Sequence, residues 1–224
     1  MNLGDRIKKY ENVSKTYLLP KEPIFIRIDG KAFHSFTKKM EKPFDMKLIE
    51  SMIVAGEKTA KEMMGFKIGY HQSDEFTFLL TDWDNFESQG WFNYQVQKIC
   101  SVTASLFTMY FNKEMGGTDA TFDCRCFNCP KEDFPNVFVW RQHDWERNSL
   151  QMFSRSKFSH KDLINKNMSA MHEMLFGVGE NWGNLPDILK NGTYITNKKE
   201  RIYKKLNYEE IQKLFNSLIH TQII

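Results

Sequence analysis

The chain is poor in the residues that mark specialised protein classes. It has 4 cysteines and 6 prolines in 224 residues, which excludes a disulfide-stapled mini-protein and a collagen. It has no run of about 18 apolar residues, so no membrane-spanning helix is expected. The segment Met1 to Leu19 is polar and charged and lacks the apolar core of a signal peptide. A cytoplasmic protein with reduced thiols is the expectation. Net charge is only +3, which alone announces no nucleic-acid partner. What is present is a globular composition of 41% hydrophobic and 26% charged residues, and 19 phenylalanines. That excludes a wholly disordered chain and supplies a sizeable core.

The charge is unevenly laid out. Residues 1–42 carry a net +5, residues 43–140 a net −6 and residues 141–224 a net +4. A basic–acidic–basic layout suits a metal-dependent enzyme acting on a polyanion, with carboxylates for the metal and Lys/Arg for phosphates. A solvated surface with chance variation reads the same way.

The periodicity predicts a β-α-β-β-α-β order. Glu22–Asp29 alternates as a strand, and Asp45 caps a helix whose apolar face is Ile49, Met52, Ile53, Gly56, Ala60 and Met63 before Gly65 stops it. Phe66–Tyr70 and Glu75–Thr81 form a hairpin across His71-Gln72-Ser73-Asp74. A helix is expected over Trp91–Met115, its face Phe92, Val96, Ile99, Thr103, Leu106 and Tyr110, then a strand over Thr121–Asn128. This split βαβ pattern predicts an α+β, ferredoxin-like antiparallel sheet with both helices on one face. Residues 1–135 form that domain. Residues 136–224 form a helical region packed on it, with helices over Val137–Phe158, Lys161–Phe176 and from a capping box at Asn207–Glu210 to about residue 221. Gly177–Gly192 reads as turns. Cys124-x-Cys126-x-x-Cys129, with Cys100 or His143, offers zinc ligands, but the same run reads equally as the fourth strand.

The chemistry gathers at strand ends. Asp29 ends an apolar strand, and Asp74 and Glu75 sit at the hairpin turn. If the first strand and the hairpin are neighbours, two or three carboxylates meet at one sheet edge and suit Mg²⁺. Two ions about 4 Å apart would activate an attacking oxygen and neutralise a leaving one. Singly, Asp29 reads as a strand-end turn residue and Asp74 as an Asx turn. Gly30-Lys31-Ala32-Phe33-His34 follows at once. Glycine lets backbone approach a ligand, and successive N–H groups can cradle a triphosphate. His34 reads equally as a structural histidine.

These residues also carry a resemblance. FIRIDGKAFHSF at 25–36, Lys42-Pro43-x-Asp45, GYHQSDEFTF at 69–78, Phe122–Arg125 as FDxR, WRQ at 140–142 and Asn148 resemble the tRNA(His) guanylyltransferase family and its Thg1-like branch. The resemblance implies a palm-like catalytic domain. It implies that Asp29, the Gly30 carbonyl and Asp74 bind two Mg²⁺, with Ser73 and Glu75 flanking them. It implies that the amides of Lys31, Ala32, Phe33 and His34, with Lys42, hold a triphosphate, and that His34 and Asp45 lie beside the base. ATP, GTP or other NTPs and tRNA are the implied partners, and a homotetramer the implied assembly. Where eukaryotic members read His-Ile-Asn-Asn-Leu-Tyr-Asn, this chain reads Glu146 to Met152 and keeps only Asn148 and Leu150. That departure and a short C-terminal portion resemble the bacterial and archaeal branch, which adds templated nucleotides 3′–5′ and repairs tRNA 5′ ends.

For RNA, Arg141, Arg147, Asn148, Arg155 and Lys157 on the helical region, and the cluster at Lys198 and Lys199, are the candidate contacts. Each reads also as a solvated face, and Arg125 and Arg147 equally as buried carboxylate partners. A nucleotide cyclase or primase-like palm enzyme would share the carboxylates and Mg²⁺. A non-catalytic RNA-binding module would share only the sheet.

Overall fold

The computed structural model describes residues 1–219. In chain order the elements are α1 (Leu3–Asn12), β1 (Ile24–Gly30), α2 (Phe33–Phe36), α3 (Met46–Lys61), β2 (Phe66–Gln72), β3 (Glu75–Leu80), α4 (Val96–Glu114) and β4 (Phe122–Asn128). Then come α5 (Phe134–Arg155), α6 (His160–Leu163), α7 (Met168–Gly177), α8 (Asp187–Asn191), β5 (Thr193–Thr196), β6 (Arg201–Ile202) and α9 (Tyr208–Ile219). The strands form one antiparallel sheet in the order β4-β1-β3-β2-β5-β6. The α+β, palm-like expectation therefore holds. Among the described residues no helix is long and apolar enough to cross a membrane.

The sheet is covered on both faces. Ile24, Ile26, Ile28, Phe76, Phe78 and Leu80 face α3 and α4, while Phe25, Ile68, Tyr70, Leu79 and Tyr194 pack against Phe134 and Phe138 of α5 and Ile211 and Phe215 of α9. Every residue of β3 is buried, including the polar Glu75 and Thr77. Local signals set α3. The Asp45 carboxylate accepts the Leu48 N–H at 2.9 Å as an N-cap. Gly56 lets α3 lie directly on β3, because a Cβ there would stand 2.1 Å from the Phe76 ring.

Four expectations change. The helix expected from Trp91 starts at Val96, because Phe92, Asn93 and Tyr94 take positive φ, a conformation held by tertiary bonds from Leu18 N–H to the Tyr94 carbonyl and from Val96 N–H to the Thr16 carbonyl. Its buried face is Ile99, Thr103, Phe107 and Phe111 rather than the line through Leu106 and Tyr110. The helix expected over 161–176 is two, α6 and α7, broken where Asn165 takes positive φ. Finally, the region expected to be helical also supplies β5 and β6. The capping box forms as expected, with Asn207 and Glu210 exchanging side-chain-to-backbone bonds at 2.9 Å. The final positions expected for that helix, 220 and 221, lie outside the described residues.

The cysteine run is a strand. Cys124 and Cys126 pack on the α4 side and Cys129 on the opposite side, and His143 is exposed on α5. Among the described residues no group of three or more His, Cys, Asp or Glu is placed to hold a metal, so the zinc alternative gives way to the strand.

Phe107 is fully buried and meets the rings of Phe76, Phe78 and Phe122. Phe107→Ala is expected to lower unfolding stability by about 3–5 kcal/mol, read from urea denaturation.

Candidate active site

The site grows from strand register. In β1, Asp29 lies opposite Glu75 of β3 and opposite Asp123 of β4. Directly opposed residues share a face, so three acidic side chains form a row on the α5 side of the sheet. The next row on that face brings Arg27 opposite Arg125. Gly30 N–H donates to the Asp74 carbonyl at 3.0 Å, which clamps the end of β1 to the hairpin turn. Ser73 occupies that turn with φ 51°.

The acids have different environments. Asp29 is partly exposed, 3.8 Å from Arg125, which binds Asp123 more closely at 2.8 Å. Asp74 has its carboxyl pushed up, chiefly by burial, with the Asp29 charge adding and a Ser73 hydrogen bond opposing. Glu75 is held by cations, with Arg27 3.7 Å away. It accepts two bonds from Arg141 Nη1, at 3.1 and 2.9 Å, and one from the Gln72 amide at 3.2 Å. Arg141 also reaches Asp144 at 3.2 Å and packs against Trp140.

Two cavities meet at the turn. One, about 370 Å³, is lined by Arg27, Asp29, Ser73, Asp74, Trp140 and Asn148 among others. The second, about 410 Å³, brings Phe33, His34, Lys42, Asp45 and Arg155 to the other side of Ser73 and Asp74. Sequence elements far apart are thus assembled on one carboxylate. Ala32 is left-handed at φ 56° and starts the short α2. Its neighbour Lys31 gives its N–H to the Thr121 carbonyl at 2.9 Å, so that amide belongs to the sheet. Both Asp45 oxygens are engaged by backbone N–H groups, from Leu48 and Glu41. Lys42 Nζ reaches the Thr37 carbonyl at 3.0 Å.

The RNA candidates are scattered. Arg155 is exposed at the second cavity. Arg147 is exposed and binds Asp144 at 2.9 Å, Asn148 touches the same carboxylate at 3.3 Å, and Lys157 pairs with Glu180. Lys198 and Lys199 sit past Thr196, which pairs with Ile68, and so lie at the opposite end of the sheet from Asp74. Arg141 is only 6% exposed and is a buried ion-pair partner rather than a surface contact. Asp123 and Trp140 carried motif matches without an assigned role. The alternation of β4 places Asp123 level with Asp29 once the register is known.

An antiparallel palm-like sheet with carboxylates at adjoining strand ends, opening on a nucleotide-sized pocket, is the architecture of a nucleotidyltransferase. Known proteins carry this to a particular family. A family model described as Thg1, tRNAHis guanylyltransferase, matches residues 4–130. The tRNA(His) guanylyltransferase of Schizosaccharomyces pombe is 30% identical, over 97% of this chain and 91% of its own. A bacterial Thg1-like protein in complex with ATP superposes with a TM-score of 0.92 at 35% identity, over 98% of this chain and 100% of that one. A bacterial Thg1-like structure in complex with GTP gives 0.84 at 33% identity, over 97% and 99%. The chain belongs to the Thg1 family of tRNA(His) guanylyltransferases.

Two stability outcomes follow from the site. Arg141→Ala would leave the buried Glu75 charge with only the longer 3.7 Å contact to Arg27 and is expected to cost up to about 3–5 kcal/mol, whereas Arg147→Ala at the surface should change stability by under about 0.5 kcal/mol; chemical denaturation of both variants checks this. His71 is buried in β2, with Nε2 at 2.9 Å from the Ser73 carbonyl and Nδ1 without a partner among the described residues. Burial lowers its pKa from 6.5 to about 4. Between those values the unfolded chain binds the extra proton. The His71 contribution is therefore full above about pH 6.5, falls as pH drops and levels off near pH 4, by about 3 kcal/mol in all. Denaturation midpoints across pH 7 to 4 should show this fall, and His71→Gln should flatten it.

Proposed function

We propose that this enzyme adds nucleotides in the 3′–5′ direction to the 5′ end of tRNA, against a template, with Mg²⁺, and so repairs truncated 5′ ends; guanosine addition to tRNA(His) is one instance. The observation that carries this reading is the pocket that joins His34, Lys42 and Arg155 to Asp74. ATP and GTP in the solved relatives support it.

The residues fit the ion. The donor set is all oxygen, namely the Asp29 and Asp74 carboxylates and the Gly30 carbonyl between them in the chain. Mg²⁺ takes one or two carboxylates and keeps its other positions for water and phosphate, so Asp29 and Asp74 suffice, with Asp123 occupied by Arg125 at 2.8 Å. Burial and the Asp29 charge already penalise the ionised Asp74, a cost that a cation offsets. When bound, the ions supply charge neutralisation and Lewis-acid polarisation of the phosphates.

In the proposed sequence, a 5′-phosphate oxygen of the RNA first attacks the α-phosphorus of ATP, and pyrophosphate leaves. The 3′-hydroxyl of an incoming NTP then attacks the activated 5′-phosphorus, loses its proton, and AMP leaves. Phosphoryl transfer of this kind rests on positioning and electrostatics rather than on covalent chemistry of the protein. Lys42 and Arg155 hold phosphates at the pocket mouth. Asp45 keeps the pocket wall in place by capping α3. Glu75 and Arg141 fix β3 to α5 and so hold Asp74 in position. Trp140, 53% exposed over Arg141, offers a face on which an RNA base can stack.

The test is an incubation of the protein with Mg²⁺, ATP, labelled GTP and a 5′-monophosphorylated tRNA lacking its first nucleotide. Extension of the 5′ end by a base-paired nucleotide is expected. Cyclic nucleotide, or RNA binding without product, would overturn the reading. Asp29→Ala and Asp74→Ala should each lose more than about 1,000-fold in rate with unchanged circular dichroism.

A further inference from the structure

Three thiols meet on the side of β4 away from the site. Cys124 and Cys126 alternate along β4 onto the face beneath α4. Cys100 reaches them from the second turn of α4, with its sulfur 3.6 Å from that of Cys126. All three are partly exposed, so a small oxidant has access. The fourth cysteine, Cys129, packs on the opposite core.

We propose that Cys100 and Cys126 form a redox-reversible modification site, closed to a disulfide between α4 and β4 by a hydroperoxide. Sulfurs in van der Waals contact need only side-chain rotation and a slight approach to reach the bond length of about 2.05 Å. Among the described residues β4 is an edge strand that pairs with β1 alone, so it is freer to make that approach than an inner strand. The cluster also sorts its own roles. The Cys100 and Cys126 sulfurs are within hydrogen-bond reach of each other, and the neighbouring Cys124 and Cys126 thiols favour the Cys100 thiolate and lower its pKa below the usual thiol value. The contact with Cys100 and, after it, burial raise the Cys126 thiol, which suits it to the resolving step.

The chemistry balances in two steps. The Cys100 thiolate attacks one oxygen of hydrogen peroxide; the O–O bond breaks, and sulfenic acid and hydroxide form. The Cys126 sulfur then attacks the sulfenic sulfur; the S–O bond breaks, and its hydroxide leaves. The two protons of the original thiols complete two waters, and a dithiol reductant reverses the bond. The bridge ties α4 to the strand that carries Asp123 and Arg125 beside Asp29.

The test uses the full reduced chain, treated with equimolar hydrogen peroxide, alkylated and digested with trypsin under non-reducing conditions. Cleavage after Arg125 separates Cys124 from Cys126. A peptide linking Cys100 to Cys126, two hydrogens lighter than its parts and released by dithiothreitol, is expected in the wild type and in Cys124→Ser, and is expected to be lost in Cys100→Ser and Cys126→Ser. In the reduced protein at pH 6, Cys100 should alkylate at least about ten-fold faster than Cys129. Linkage through Cys124 or Cys129 instead, cross-linked dimers, Cys100 sulfinic acid without a bridge, or equal alkylation rates would overturn the proposal.

Discussion

The bond from Gly30 N–H to the Asp74 carbonyl is the constraint on which the site depends. It joins the end of β1 to the turn of a hairpin formed more than forty residues later in the chain. With it in place, Asp29 and Asp74 must lie at the same end of the sheet, although one belongs to a strand and the other to a turn. A slip of one residue in β1 would send Asp29 to the opposite face. The burial of Ile24, Ile26 and Ile28 on one side and Phe25 on the other makes such a slip costly. The apolar core therefore sets the geometry of the polar site.

The same register explains the uneven charge. The acidic middle of the chain supplies Asp74, Glu75 and Asp123, but these do three different things. Asp74 stands between the two cavities, Asp123 holds Arg125, and Glu75 is neutralised by Arg141 inside the sheet–helix interface. A buried charge pair is weak evidence for stability as such. Here it sets where α5 crosses β3, and α5 in turn presents Trp140, Asn148 and Arg155 to the two cavities. A near-neutral total charge thus conceals a local separation of carboxylates at the strand ends from cations around them.

Much of this was legible in the sequence where the signals are local. Asp45 as a cap and the Asn207–Glu210 capping box depend on neighbours within four residues, and both appear as read; the polar turn is tighter than its sequence suggests, because His71 and Gln72 pair in β2 and leave only Ser73 and Asp74 to turn, and α3 ends at Lys61, four residues before Gly65. The pairing of Asp29 with the hairpin was legible as a possibility, since acidic strand ends have few other reasons to coincide. What stayed hidden depends on distant partners. The kink at Phe92–Tyr94 is imposed by Thr16 and Leu18. β5 is a four-residue strand that exists because β2 offers it a free edge. Arg141 looks like its exposed neighbours by spacing and is distinguished only by Glu75 across the interface. Lys198 and Lys199 look like a partner cluster to Arg147 and Arg155 in the chain but lie at the other end of the sheet.

The central claim is that Asp29 and Asp74 together hold the divalent ion on which nucleotidyl transfer depends. Titration of the protein with Mn²⁺ in the presence of a non-hydrolysable ATP analogue, followed by the electron paramagnetic resonance signal of the free ion, tests it without reference to turnover. The account predicts saturable Mn²⁺ binding that is lost in Asp29→Asn and in Asp74→Asn and retained in Asp123→Asn. Equal binding by the wild type and the first two variants would contradict it.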